Sequence, residues 1–352
     1  MDTCKIGLAE KTFLALLDPY GSVERTFPLA LRQSGGGDSV RYVGVKNRVQ
    51  IPERLLRSLR TGGFYLHTVD AQSLGGRAVD VRMTNPVTGR PMTGSSSGTA
   101  VNVFIGVNDL GIGTDGGGSV LAPAASLNLY ALMSPLICPE WLERFPGGMS
   151  TDGIRFLSSI GFMARDLATL RDACACVPGL LSAPDAPAAP APSLAVQREA
   201  LPYLGKALPD AHDVAEPPST ASSRTEQLAF LEGALAKHDV VVTLEGPIDT
   251  QGMGDTVFGH FDEVTAASQA AAGKGLMKVA NMARATALVV PVPRLATALL
   301  LCCRSEPAAV ARMLCLADRL PAFSDALCER YFRDLAKYVA CGFGEVDYRI
   351  QE

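Results

Sequence analysis

Short apolar runs alternate with amphipathic stretches near the start of the chain. Residues 39–46 (SVRYVGVK) are rich in β-branched and aromatic residues and end at a lysine, a pattern that predicts a strand. Residues 52–61 (PERLLRSLRT) carry leucines at helical spacing and are followed by two glycines, which predicts a helix. The next stretch, FYLHTVD at 64–70, again predicts a strand. Strand, helix and strand in this order indicate an α/β layer structure.

Similar patterns continue along the rest of the chain. The apolar stretch TAVNVFIG at 99–106 predicts a buried helix, and residues 159–178 carry apolar positions at helical spacing, which predicts a second one. Residues 239–244 and 286–293 are almost continuous β-branched runs, as expected for strands that are covered on both faces. Residues 322–341 place large apolar and aromatic side chains on one face, a pattern typical of an amphipathic helix.

One part of the chain has a different composition. Residues 182–193 (SAPDAPAAPAPS) and 216–223 (EPPSTASS) are rich in proline, alanine and serine. Such composition favours extended, poorly packed chain. We therefore predict that residues 180–224 form an insertion or flexible loop with at most one short helix, within a single domain that covers residues 1–352.

Composition and charge exclude several classes of protein. Apolar residues make up 47% of the chain and charged residues 19%, which is typical of a globular protein. The net charge is −4 without a long basic run, so we expect no nucleic-acid partner. The nine cysteines show no paired CxxC pattern, which argues against a disulfide framework and a zinc site and favours reduced thiols in the cytoplasm. The longest apolar run, Ala285–Leu301, is interrupted by two prolines and an arginine, so we expect no membrane span.

Two clusters of glycine and serine carry the candidate chemistry, and each fits a general template. Residues 94–98 (GSSSG) fit the G-x-S-x-G nucleophile elbow with Ser96 at its centre, and residues 111–119 (GIGTDGGGS) contain the dinucleotide pattern G-x-G-x-x-G. The elbow requires a strand directly before the serine, but the preceding residues contain two prolines. The dinucleotide pattern requires a helix that starts within it, yet Asp115 lies among the glycines and Pro123 follows. Both templates remain as weaker alternatives.

The two clusters together resemble the amidase signature family. In that family a Gly-Ser-Ser cluster precedes a G-T-D-x-G-G-S cluster, and the nucleophilic serine lies 24 residues after a serine in an unusual cis peptide; here Ser119 lies 24 residues after Ser95. The family's lysine ends a strand that is similar to YVGVKN, which nominates Lys46. Three further stretches are similar to family motifs: TNPVTGRPMTGSSSG, SSIGFMARDLATL and NMARATALVVPVP.

The resemblance implies a fold and a set of catalytic roles. The fold would be α/β, with one large domain, a mixed twisted central sheet and helices on both of its faces. A serine hydroxyl becomes a good nucleophile when a nearby base takes its proton. The resemblance implies that Ser119 attacks, that Ser95 relays the proton, and that a desolvated, neutral Lys46 is the base.

The resemblance also implies how the second cluster is used. Consecutive glycines allow several backbone N–H groups to point to one place, where they can bind the negative oxygen of a tetrahedral intermediate. The expected donors of this oxyanion hole are the N–H groups of Gly116, Gly117, Gly118 and Ser119. Asp115 and Ser96 are expected to support the loops rather than to react. The chemistry requires no metal and no organic cofactor.

The expected function is hydrolysis of a small carboxamide through an acyl-enzyme. The alternatives are the amide-hydrolysing component of an amidotransferase complex, similar to that of glutamyl-tRNA amidotransferase, and a degenerate homologue kept for binding or as a scaffold. A small-molecule amide is the expected substrate, and assembly as a homodimer or with a partner subunit stays open. Two departures from the family pattern are Asn47 in place of an aspartate and Leu121 in place of an arginine.

Overall fold

The computed structural model describes residues 3–27, 40–181, 191–209 and 212–339. The strands in these ranges are β1 Val23–Thr26, β2 Arg41–Lys46, β3 Phe64–Asp70, β4 Val79–Thr84, β5 Pro91–Thr93, β6 Leu110–Asp115, β7 Tyr130–Ser134, β8 Gly148–Met149, β9 Arg155–Phe156, β10 Ser159–Ala164, β11 Leu194–Gln197, β12 His212–Ala215, β13 Val240–Glu245, β14 Ala285–Pro291 and β15 Ala298–Arg304. The α-helices are α1 Thr3–Leu17, α2 Glu53–Thr61, α3 Ser97–Phe104, α4 Leu121–Ser126, α5 Pro139–Leu142, α6 Leu167–Ala175, α7 Leu201–Leu204, α8 Arg224–Leu235, α9 Glu263–Ala270, α10 Pro307–Ala317, α11 Ala326–Phe332 and α12 Leu335–Val339.

Eleven of these strands form one mixed sheet. Their order is β1-β3-β2-β6-β10-β7-β14-β15-β13-β11-β12. Strand β2 is parallel to both β3 and β6, and β11 is parallel to both β12 and β13, whereas the other neighbours are antiparallel. Helices α2, α6 and α10 pack on one face of the sheet, and α3, α4 and α8 pack on the other. The predicted fold class is confirmed.

Side-chain alternation explains why the sheet is covered on both sides. In β13, Val240 and Val242 belong to one apolar cluster and Val241 belongs to the other. In β14, Leu288 faces the first cluster and Ala287 the second. Because successive side chains of a strand point to opposite faces, a nearly continuous apolar run is suited to a strand between two helical layers. Within the described ranges, no helix is both long and apolar enough to cross a bilayer.

The helix predicted at 159–178 is wrong in its first part. Residues Ser159–Ala164 form strand β10, which lies between β6 and β7, and only Leu167–Ala175 is helical. Phe162 packs in one core cluster and Met163 in the other, so the strand is apolar on both faces. A short strand of this kind cannot be distinguished from a buried helix by periodicity. The helix begins where Asp166 accepts a hydrogen bond from the backbone N–H of Thr169.

The prediction of a loop at 180–224 also needs correction. Residues 182–190 and 210–211 lie outside the described residues, but the remainder includes strands β11 and β12 and helix α7. Leu194, Ala195 and Val196 pair in parallel with β13, and all three are buried. The three apolar residues of this strand were missed because the prediction used the average composition of the whole segment. The Pro/Ala-rich residues on the N-terminal side of the strand dominate that average.

The predicted C-terminal helix is divided in two. Helix α11 begins where Asp325 accepts hydrogen bonds from two backbone N–H groups, and it ends before Arg333. A second short helix, α12, follows, and the last predicted residues, 340 and 341, lie outside the described part of the chain. Leu327 and Tyr331 are exposed, so the apolar face predicted here is only partly packed.

Candidate active site

Lys46 ends strand β2, the third strand from one edge of the sheet, and points into the protein interior. Its side chain is only 1% exposed. The Nζ atom donates a hydrogen bond to Ser95 Oγ at 2.7 Å and a longer one to the carbonyl oxygen of Thr114 at 3.3 Å. Two of the three predicted catalytic residues are therefore in direct contact, although 49 positions separate them in the sequence.

The surroundings of Lys46 favour its neutral form. The pKa of Lys46 is lowered to about 7, mainly by burial and also by the charge of Arg48, whereas the carboxylate of Asp115 opposes both effects. Removal of an ammonium group from water disfavours the charged state, which explains the direction of the change. A substantial fraction of Lys46 is therefore unprotonated at neutral pH and can accept a proton.

Ser95 is held in place by its backbone. The Gly94–Ser95 peptide bond is cis. The carbonyl oxygen of Ser95 accepts a hydrogen bond from the N–H of Ser73 at 3.1 Å, and Gly94 N–H donates to the carbonyl of Ala78 at 2.9 Å. A Cβ atom on Gly94 would lie 2.5 Å from the carbonyl oxygen of Arg77, so a side chain at this position would force the backbone apart. Glycine is therefore required immediately before the serine.

Ser119 lies at the end of the loop between β6 and α4. Its carbonyl oxygen accepts a hydrogen bond of 3.2 Å from the N–H of Ser96, which joins the two Gly/Ser clusters. The residue is half-buried, and its hydroxyl has no hydrogen-bond partner among the described residues. The structure thus brings Lys46 and Ser95 together through their side chains, but it connects Ser119 to this pair only through the backbone.

Asp115 binds the turn that leads to Ser119. Its two carboxylate oxygens accept hydrogen bonds from the backbone N–H groups of Gly118 at 2.8 Å, Val120 at 2.6 Å and Leu121 at 3.4 Å. Burial raises the pKa of Asp115, and these three hydrogen bonds act in the opposite direction. The geometry fits the expected supporting role, because the residue fixes the backbone on both sides of Ser119.

These contacts correct the expected set of oxyanion donors. The N–H of Gly118 already donates to Asp115, so it does not point to an open site. In the described part of the chain, the N–H groups of Gly116, Gly117 and Ser119 have no hydrogen-bond partner. Gly118 has a φ of +95°, a conformation that glycine adopts readily. The remaining candidate donors are therefore those of Gly116, Gly117 and Ser119.

The other residues of the first cluster have separate contacts. The hydroxyl of Ser97 donates to the buried carboxylate of Asp80 at 2.6 Å, whereas the hydroxyl of Ser96 is buried and has no hydrogen-bond partner among the described residues. Ser96 therefore supports the site through its backbone N–H rather than its side chain. The side chain of Leu121, which replaces the family's arginine, is fully buried in the core and offers no polar group.

Sequence patterns did not reveal the polar network behind Ser95. Asp249 and Lys274 form an ion pair of 2.8 Å, and each side chain is only 7% exposed. Thr93, at the end of β5, donates to Asp249 at 2.5 Å, which fixes the strand that leads into Gly94. Partners far apart in the sequence have no common local pattern. The only available signal was a lysine between two glycines, GKG at 273–275.

Known proteins resemble this chain more in fold than in sequence. No curated protein matches the chain in sequence. A family model described as Amidase matches residues 81–202. The chain is similar to the amidase family. The matched residues include Ser95 and Ser119 but begin after Lys46, so the assignment of the lysine rests on its position in the fold. The resemblance predicted from the sequence motifs is confirmed.

Several solved structures share the fold at low sequence identity. A 6-aminohexanoate cyclic dimer hydrolase in complex with substrate is 13% identical, with a TM-score of 0.62 over 91% of this chain and 94% of that chain. A glutamyl-tRNA(Gln) amidotransferase subunit from Thermotoga maritima is 15% identical, with a TM-score of 0.58 over 87% and 89%. The peptide amidase PAM, solved with the competitive inhibitor chymostatin, is 17% identical, with a TM-score of 0.57 over 91% and 94%. At these identities the likeness establishes the fold.

Proposed function

We propose that this protein hydrolyses the C–N bond of a small carboxamide through an acyl-enzyme on Ser119. The observation that carries the proposal is the contact of 2.7 Å between the buried amine of Lys46 and Ser95 Oγ. A lysine at an ordinary surface position is protonated and solvated. One that has lost its water and contacts a serine beside a glycine loop is suited to accept a proton.

The reaction begins when the Ser119 hydroxyl transfers its proton to Ser95 and Ser95 transfers its own to neutral Lys46. Ser119 Oγ then forms a bond to the amide carbon. As the tetrahedral intermediate collapses, the C–N bond breaks and the leaving nitrogen takes a proton back along the same relay. A water molecule then gives its proton to the same relay and bonds to the acyl carbon. The bond from that carbon to Ser119 Oγ breaks, Ser119 regains its proton, and the acid is released. The first transfer requires a hydrogen bond between the two serines, which in free enzymes often forms only when substrate binds.

The glycine loop supplies charge stabilisation in this proposal. The N–H groups of Gly116, Gly117 and Ser119 are available to the negative oxygen of the tetrahedral intermediate. Removal of one such donor in other hydrolases costs on the order of 3 kcal/mol of transition-state stabilisation. Asp115 contributes indirectly, because it holds the loop without using these three groups.

The test compares two serines of the same region. Ser119→Ala removes the proposed nucleophile and should abolish ammonia release from a panel of primary amides, with circular dichroism and melting temperature almost unchanged. Ser96→Ala is the matched control, because the Ser96 hydroxyl has no hydrogen-bond partner in the part of the chain that the structure describes. It should keep most of the activity. A fluorophosphonate should label Ser119, as located by mass spectrometry. Loss of activity in Ser96→Ala alone would instead favour the nucleophile elbow.

The same experiments separate the alternative functions. A chain that is labelled at Ser119 but releases ammonia only after a co-purified partner is added would be one component of an amidotransferase. A folded chain that is neither labelled nor active on any amide would be a binding or scaffold homologue. Retained activity in Ser119→Ala would remove the proposed mechanism.

A further inference from the structure

A small polar cavity lies beside the proposed nucleophile loop. Its volume is about 180 Å³, and its walls are formed by residues 220–224, by one side of helix α9, and by Asp152 and Lys278. Because one water molecule occupies about 30 Å³ in the liquid, the cavity has room for roughly six water-sized groups. It can accept a small polar substituent rather than a long chain.

Lys278 connects this cavity to the glycine loop. A Cβ atom on Gly117 would lie 3.4 Å from the carbonyl oxygen of Lys278, and one on Gly118 would lie 3.1 Å from the carbonyl oxygen of Met277. The backbone of residues 277–278 therefore packs directly on the loop that ends at Ser119. The side chain of Lys278 extends from this contact into the cavity, so Lys278 meets the loop through its backbone and the cavity through its side chain.

The Lys278 ammonium is incompletely neutralised. Its Nζ atom donates to the carbonyl oxygen of Thr220 at 3.1 Å. In the part of the chain that the structure describes, no carboxylate oxygen lies within 4.0 Å of it. The pKa of Lys278 is lowered to about 8, mainly by burial, and the more distant carboxylates of Glu245 and Asp152 oppose this effect. An ammonium group has three donors, so at least one of them is free for a ligand.

Arg224 adds a second cation to the same cavity. Its guanidinium binds Asp152 at 2.9 Å and the Thr256 hydroxyl at 3.0 Å. Two cations and one carboxylate therefore line the cavity, which leaves one positive charge and the unused donors of the Lys278 ammonium. A largely buried cation is costly when no anion neutralises it, and an anionic group of a ligand would do so.

We propose that this cavity binds a carboxylate of the substrate, so that the preferred substrates are amides with an acidic group a few bonds from the amide carbon. The inference rests on the proposed hydrolysis at Ser119, because it places the acid of the same molecule beside that loop. Lys278 is a specificity-determining residue in this scheme and takes no part in bond cleavage. A charge-assisted hydrogen bond of ordinary strength corresponds to roughly a 10- to 100-fold preference.

The kinetic test uses matched pairs of amides. Malonamate, succinamate and glutaramate carry a terminal carboxylate, and propionamide, butyramide and valeramide carry a methyl group instead. Wild-type protein should prefer at least one acid over its neutral match in kcat/KM. Lys278→Met should lower kcat/KM for that acid by roughly 10- to 100-fold and leave the neutral amide within about 3-fold. Lys278→Arg should recover much of the preference, and exposed Lys237→Met is the charge-matched control.

Two results would overturn the inference. One is a wild-type protein that favours none of the acids over its neutral match. The other is an equal loss for acidic and neutral amides in Lys278→Met, which would indicate a purely structural role.

A binding measurement distinguishes a failure of this inference from a failure of the proposed function. Calorimetry of the preferred acid, or of all three acids if no turnover occurs, is performed on Ser119→Ala. Lys278-dependent binding without turnover in wild type would retain the cavity and reject the mechanism. Binding that is unchanged in Ser119→Ala/Lys278→Met would reject the cavity.

Discussion

Replacement of Lys46 by methionine should make the protein inactive and, near neutral pH, more stable. The side chain of methionine has a similar length and no charge to desolvate. The pKa of Lys46 falls from 10.5 to about 7 on folding, a change that corresponds to about 5 kcal/mol of unfavourable free energy at low pH. The variant also loses the hydrogen bonds to Ser95 and Thr114, each worth about 1 kcal/mol. We therefore expect the free energy of unfolding of Lys46→Met to exceed that of the wild type by on the order of 2 kcal/mol at pH 7.

The dependence on pH is the sharper part of this prediction. Because the folded-state pKa of Lys46 lies below the unfolded one, the unfolded chain binds more protons between pH 7 and pH 10.5. The free energy of unfolding therefore rises with pH in this window. From pH 7 to pH 9 the titration of Lys46 should raise the free energy of unfolding of the wild type by about 2 to 3 kcal/mol. Lys46→Met lacks this titration, so the difference in free energy of unfolding between the two proteins should shrink by that amount.

Urea unfolding at pH 7 and pH 9 measures this difference. Lys278 titrates in the same window, but it is present in both proteins and its contribution cancels. Lys237→Met, at an exposed position, should show no such change in its difference from wild type. A stability gap between wild type and Lys46→Met that is the same at both pH values would refute the argument, because Lys46 would then be protonated and hydrated as usual and could not serve as the base.

Two further predictions concern the reaction rate and the network behind the site. If neutral Lys46 is the base, kcat/KM on any active amide should rise as pH increases through about 7 and then level off, and a pH–rate profile that is flat from pH 6 to 8 would contradict this role. Asparagine can replace Asp249 without backbone strain, because it tolerates the φ of +53° at this position. Asp249→Asn nevertheless leaves the buried Lys274 ammonium unpaired. The free energy of unfolding, measured by urea titration, should therefore fall by about 3 to 5 kcal/mol. Lys274→Met in the same chain should restore part of that loss, and no restoration would show that the pair is not coupled.

The sequence predicted the contact at the centre of the candidate site, between Lys46 and Ser95, better than the contacts around it. The strand that ends at Lys46 and the spacing from Ser95 to Ser119 are local features, and the resemblance to a family supplied their roles. The hydrogen bond from the N–H of Gly118 to Asp115 could not be predicted from the sequence. In a run of glycines every N–H group is equivalent, and only the geometry of the turn decides which of them face the carboxylate. The Asp249 carboxylate was missed for a related reason: its lysine partner lies 25 positions later in the chain.

The errors in the fold have a common physical cause. Strand β10 and the adjacent helix α6 form one apolar stretch, and burial on both faces removes the alternation that identifies a strand. In the same way, the three buried residues of β11 are too few to stand out beside a Pro/Ala-rich neighbourhood. In both places the decisive information is the neighbouring strand, which pairs with the segment from a distant part of the chain.

The division of the site along the chain has a consequence for how new activities could arise. The groups proposed to break the bond all lie within residues 46–119, whereas the walls of the charged cavity come from residues 152, 220–224, 266–270 and 278. Changes in the later stretches can thus alter which molecules are accepted while the bond-breaking groups stay as they are. A library randomised at the cavity wall and screened on amides with acidic, neutral or basic ends would exploit this separation directly.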